Sequence, residues 1–157
     1  MTDCCAIPHA GEPPTCPVNG RVARPVPRNT VEGLVRPEFS ALLLPQQYYF
    51  CDASDCDVVY VSALADHLIT KDQLSIRVGI KERLDPIPVC YCFDFDRASI
   101  RDDIRRSGTT DIQRVITARV RAGECHCEGS NPSGGCCLGE VSRQIRLAQD
   151  LREKGAL

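Results

Sequence analysis

The chain has 157 residues, 43% hydrophobic and 25% charged, and 19 Lys and Arg against 21 Asp and Glu give a net charge of −2. That balance supplies no basic field for a phosphate backbone, and no apolar run approaches the roughly 18 residues of a bilayer span, so neither nucleic-acid binding nor membrane insertion is expected. Aromatic residues make up 5%, Trp is absent and Cys numbers 11, which predicts modest aliphatic cores pinned by metal in place of one large core.

The start, Met1 to Gly20, opens Met-Thr-Asp-Cys-Cys, without the basic residues and apolar run of a signal peptide. The chain is therefore expected to be soluble and cytoplasmic, with reduced thiols, and the odd cysteine count also argues against a complete disulfide framework. Ala6 to Pro45 carries eight prolines and little periodicity, which predicts irregular, extended backbone held by metal. Gln46 to Cys51 and Asp57 to Val61 read as two short strands, with Asp52 to Cys56 as a tight turn between them. A further strand is expected over Leu74 to Lys81. The segment Asp85-Pro86-Ile87-Pro88 reads as a linker between two lobes.

After Cys92 the pattern becomes helical. Ile100 and Ile104 share a face of a first helix that stops at Gly108. A second is capped by Thr109 or Thr110 and carries Ile112, Val115, Ile116 and Val120 as one stripe, ending at Gly123. A third runs from Cys137 to Glu153 with Leu138, Val141, Ile145 and Ala148 on one side. The fold class that follows is α+β: a small β lobe pinned by metal, residues 1–84, then a helical lobe of about three short helices, residues 85–157; the resemblance described below makes the first lobe zinc-binding.

The cysteines fall in close sets: Cys4 and Cys5, Cys51 and Cys56, Cys90 and Cys92, Cys125 and Cys127, Cys136 and Cys137, with Cys16 alone. Thiols one to five residues apart suit a metal, because several thiolates must converge without a long loop between them. Six thiols lie near the ends of the three helices. An iron-sulfur cluster uses four, and adjacent cysteines such as Cys136 and Cys137 point in different directions, so one of each later pair is expected to be surplus. His126 and His67 read as exposed residues, Asp52, Asp55 and Asp57 as solvated turn residues, and Arg101 to Arg106 as a solvated helix face. No Gly-rich phosphate loop, nucleotide fingerprint or nucleophile constellation is present, so a stand-alone enzyme is not expected.

Several segments carry a resemblance: Val89-Cys90-Tyr91-Cys92-Phe93, Ala122 to Glu128, Asn131-Pro132-Ser133-Gly134 before Cys136-Cys137-Leu138-Gly139, Tyr49-Phe50-Cys51, Cys56 to Tyr60, and Arg77-Val78-Gly79-Ile80-Lys81-Glu82. In this order they resemble the amino-terminal [2Fe-2S] and zinc domain of the CopZ copper chaperone family, whose cluster lobe is similar to bacterioferritin-associated ferredoxin. The resemblance implies Cys90, Cys92, Cys125 and Cys136 as cluster ligands, with Cys127 and Cys137 as alternates. It implies zinc on Cys51 and Cys56 together with Cys16, with Cys5 or Cys4 as fourth ligand and His9 behind them. Asn19 stands where a Cys-Pro-x-Cys knuckle would have its second thiol, and neutral Asn is a poor zinc ligand. The family's copper-carrying domain with its Cys-x-x-Cys loop has no counterpart after Val141, so copper delivery is not expected to transfer whole. What the resemblance leaves is electron transfer and metal handling: reduction of Cu(II) to Cu(I), with copper or another soft ion as partner and Cu+ held by surplus thiols. The alternatives are a ferredoxin-like accessory subunit serving a separate redox partner protein, and a zinc-ribbon interaction module.

Overall fold

A computed structural model describes residues 11–157. The fold mixes helix and strand, as the α+β expectation requires. Four antiparallel strands lie in chain order, β1 (Arg24–Pro25), β2 (Tyr48–Phe50), β3 (Val58–Ser62) and β4 (Leu68–Thr70). A separate hairpin pairs β5 (Pro88–Cys90) with β6 (Phe95–Asp96). The helices are α1 (Arg28–Leu34), α2 (Arg97–Ser107), α3 (Ile112–Arg121), α4 (Cys127–Ser130) and α5 (Leu138–Glu153). No helix among the described residues is long and apolar enough to cross a membrane.

Every residue of β2 and β3 is buried, because helical segments cover the sheet on one side and the Cys16 loop packs on the other. One core joins Val31 and Leu34 of α1 to Tyr48, Phe50, Val59, Tyr60, Ile69, Leu74 and Val78. A second gathers Ile100 and Ile104 of α2, Ile112 and Ile116 of α3, and Val141 and Ala148 of α5 around Val89, Cys90 and Cys137. Asp96 caps α2 by accepting from the Ser99 N–H at 2.8 Å, and Gly108, at φ +81°, ends it in the left-handed conformation.

Four expectations need correction. The proline-rich stretch contains α1 and a 3-10 turn over Pro37–Leu42. Three of its prolines occupy positions that need no donor: Pro25 in an edge strand, Pro27 before the first helical turn, Pro37 at the start of the 3-10 turn. The strand expected over Leu74 to Lys81 is absent; β4 lies earlier, and the Thr70 and Gln73 capping box turns the chain away after it, leaving a 3-10 turn at Gly79–Lys81. Pro88 is the first residue of β5 and pairs with Asp96, so the supposed linker runs directly into the hairpin. The second helix begins at Ile112 with Asp111 before it; Thr110 Oγ1 still accepts from the Ile112 N–H at 3.3 Å.

Polar side chains tie the sheet to the helical part. Tyr60 Oη donates to the Pro132 carbonyl at 2.7 Å, Thr30 Oγ1 donates to the Glu128 carbonyl, and Tyr91 Oη accepts from the Gly79 N–H at 2.8 Å while donating to the Arg77 carbonyl at 3.2 Å. Gly79 is required here because an added Cβ would stand 1.9 Å from the Pro88 carbonyl oxygen. Gly79→Ala should therefore lower stability by about 1–3 kcal/mol in urea unfolding. Gly33→Ala, in α1 with nothing within 4 Å, should raise it by about 0.5–1 kcal/mol; equal effects at the two sites would contradict this packing.

Candidate metal centre

Cys16 comes from one turn, and Cys51 and Cys56 from another, the connection between β2 and β3. The loop after Cys16 is closed by Gly20 N–H to the Cys16 carbonyl at 2.7 Å and Cys16 N–H to the Arg21 carbonyl at 2.8 Å. The Cys51 N–H donates to the Val59 carbonyl at 2.9 Å, extending the β2–β3 ladder to the point where the chain turns towards Cys56. The result is a buried group whose three sulfur atoms lie within 4.8 Å of one another. Sulfurs sharing a tetrahedral ion at about 2.3 Å stand roughly 3.8 Å apart, so small side-chain movements bring this set to a common ion.

The surroundings favour anionic sulfur unevenly. Burial pushes the Cys16 thiol up, reinforced by Cys51. Burial works in the same direction on Cys51, but the Asn19 amide, the Ala53 backbone and the Lys81 charge together bring it below the ordinary thiol value. Asn19 Nδ2 donates to Cys51 Sγ at 3.3 Å while its Oδ1 accepts from the Arg21 N–H at 2.9 Å, so Asn19 supports a sulfur here. The expected fourth ligand, Cys5 or Cys4, and the weaker candidate His9 lie outside the described residues.

The second set gathers where β5, α4 and α5 meet. Cys90 Sγ lies 3.0 Å from Cys137 Sγ, and Cys92 Sγ lies 3.3 Å from Cys127 Sγ. The His126 backbone N–H donates to Cys92 Sγ at 3.3 Å, and Ser130 Oγ stands 3.3 Å from the same sulfur. The hydrogen bond from Cys137 brings the Cys90 thiol down to about 6 despite burial, helped by the Phe93 and Cys92 backbone and by Arg119. Donating that bond raises Cys137, and burial with the neighbouring Cys92 pushes Cys127 up to about 12. Arg119 lies over the Phe93 ring at 4.0 Å.

Of the sequence-predicted cluster set, Cys90 and Cys92 are therefore brought to Cys137 and Cys127, the two alternates, whereas Cys125 and Cys136 are exposed. The side chains follow from the helix starts: Cys137 precedes α5 and faces the core, which turns adjacent Cys136 outward. His126 is exposed as expected. His67 is half-buried, its Nδ1 2.8 Å from Tyr48 Oη. Asp57 is exposed and bridged to Lys71 at 3.3 Å, whereas Asp52 is partly buried and bridged by Arg21 and Arg24. Sequence reasoning placed Asn19 at the knuckle but gave it no hydrogen bond to sulfur, and it missed Lys81 and Ser130 as neighbours of sulfur; Lys81 stood inside a quoted segment, but nothing in its local pattern showed that its side chain turns inward.

Residues 13–75 match the CopZ-type family described as a zinc binding domain, a span that contains all three clustered cysteines. The chain is 32% identical over 96 residues to the copper chaperone CopZ of Archaeoglobus fulgidus, covering 61% of this chain and 45% of that protein. It thus spans less than half the length of that relative. The X-ray structure of the Archaeoglobus fulgidus CopZ N-terminal domain superposes with a TM-score of 0.69 at 28% identity, covering 82% of this chain and 95% of the other. Sequence likeness over the zinc binding span, shared fold and a buried trithiol group together support a metal-binding site at Cys16, Cys51 and Cys56.

Exposure predicts the order of thiol reactivity. In metal-free chain, Cys125 and Cys136 should be alkylated well before Cys16, Cys51, Cys56 and Cys137 under native conditions, as read by peptide mass spectrometry. Simultaneous modification of all these thiols would contradict the burial described.

Proposed function

We propose that the chain is a redox-active metal-handling protein in which Cys16, Cys51 and Cys56 hold a structural zinc and Cys90, Cys92, Cys127 and Cys137 hold a [2Fe-2S] cluster. The division of labour follows residues 1–84 for zinc and 85–157 for the cluster. The observation that carries the second assignment is the pairing of its thiols at 3.0 and 3.3 Å, which a slight opening of each pair would bring to the roughly 3.8 Å of two sulfurs on one tetrahedral metal. Exposure of Cys125 and Cys136 supports leaving them out of the cluster.

When bound, such a cluster passes one electron at a time. The protein's part is to hold and shield it. The His126 N–H hydrogen-bonds a ligand sulfur, and Arg119 lies over the ring of Phe93, in the turn of the hairpin that carries Cys90 and Cys92. The substrate we assign is copper: Cu(II) taking one electron becomes Cu(I), the form soft sulfur ligands prefer. Cys125 and Cys136 are the surface thiols suited to receive it. A reducing, cytoplasmic setting suits these unpaired thiols.

Anaerobically reconstituted protein should show the visible absorption of a [2Fe-2S] centre, lost in Cys92→Ser and in Cys127→Ser but retained in Cys125→Ser with Cys136→Ser. Chemically reduced protein titrated with Cu(II) should regain the oxidised spectrum with one electron consumed per copper. Reoxidation by a protein acceptor but not by Cu(II) would favour the ferredoxin-like accessory role, and colourless protein under all conditions would leave a zinc-only module.

A further inference from the structure

Lys81 belongs to the 77–82 segment that none of the roles above uses. It is 4% exposed, and its Nζ donates to the Ala53 carbonyl at 2.8 Å and the Cys56 carbonyl at 3.0 Å, inside the turn that presents Cys51 and Cys56. Both acceptors are neutral. An ammonium withdrawn from water needs an opposite charge close by, since neutral acceptors do not repay the whole cost of desolvation. The nearby carboxylate of Asp52 is already engaged by Arg21 at 3.4 Å and Arg24 at 3.5 Å. Burial pulls the Lys81 ammonium below its ordinary value, and besides Asp52 the groups that offset this are the sulfurs of Cys51, Cys56 and Cys16.

Charge addition gives the consequence. Three thiolates around a divalent ion leave one net negative charge in a buried site, and one ammonium cancels it; a fourth thiolate would leave the site negative again. We propose that Lys81 is the counter-charge and positioning residue of the trithiolate centre, allowing a divalent ion to be held by Cys16, Cys51 and Cys56 with neutral Asn19 standing where a further thiolate would otherwise be needed. Asn19 acts in the same sense, since its amide donates to Cys51 Sγ and withdraws charge from that sulfur. The inference rests on these three cysteines binding metal, and it adds a residue from outside the cysteine turns to the centre.

The test separates charge from mechanical support by changing the charge of the bound element. Zn(II) on three thiolates is mononegative. Arsenite, As(OH)3, condenses with three thiols to release three waters and gives a neutral As(III) trithiolate, for which a counter-charge is irrelevant. Affinities for Zn(II), by chelator competition, and for arsenite are measured on the full chain, taking as site-specific the part lost in Cys51→Ser. Lys81→Met and Lys81→Gln, the latter keeping a donor beneath the two carbonyls, should each lose about 10–100-fold in Zn(II) affinity, with arsenite affinity held within about threefold. Unchanged Zn(II) affinity, or parallel loss of both ions, would overturn the role of Lys81 as counter-charge. If Cys51→Ser alters neither affinity relative to the unsubstituted chain, the trithiolate centre itself is overturned instead.

Discussion

Buried sulfur converging from distant parts of the chain is the constraint on which the structure depends. Cys16 reaches Cys51 and Cys56 across the sheet, and the three thiols sit in their own small core with Ala23, Tyr49, Ala53, Val58 and Val61. Thiols brought this close repel once ionised, so the arrangement is most stable when a cation is shared between them. A chain with 5% aromatic residues and several separate aliphatic cores gains much from such a pin. The Cys51 to Cys56 turn, the Lys81 ammonium beneath it and the Asn19 amide beside it then read as parts of one ligand-positioning device.

The same segment that supplies Lys81 also joins the two cysteine sets. The turn at Gly79–Lys81 is one link from the trithiol group through Lys81 and one from the β5–β6 hairpin through Tyr91. Burial pushes the Tyr91 hydroxyl up to about 12 and the Tyr60 hydroxyl higher still, which keeps both protonated as donors to the Arg77 and Pro132 carbonyls. Disorder in the sheet would thus reach Cys90 and Cys92 by a short path. Metal at one centre is expected to support order at the other through this link, a coupling that needs no contact between the metals.

Much of the helical part was legible because its pattern is local. Ile100 and Ile104, Ile112 and Ile116, and Val141 and Ala148 recur at helical spacing and are buried together, and Gly108 marks a stop that needs the left-handed conformation. The sheet was less legible. Leu68–Thr70 is too short to announce itself, and its pairing is decided by the turn through Ala65, at φ +55°, and by the capping box that follows. Prolines concealed α1 because composition registers their number, while the structure depends on their positions. The cysteine sets were visible as spacings, but which member of each later pair faces inward is set by tertiary packing: α5 begins at Leu138, and that register puts Cys137 against Cys90. Lys81 was illegible for the same reason, since only the fold turns a lysine inward.

The central claim is that two distinct thiol sets hold two distinct metals. It is tested most directly by zinc, iron and acid-labile sulfide analysis of the chain isolated without oxygen. The account predicts about one zinc with about two irons and about two sulfides per chain. Protein that lacks iron and sulfide after attempted reconstitution, or that carries zinc in both sets, would contradict it.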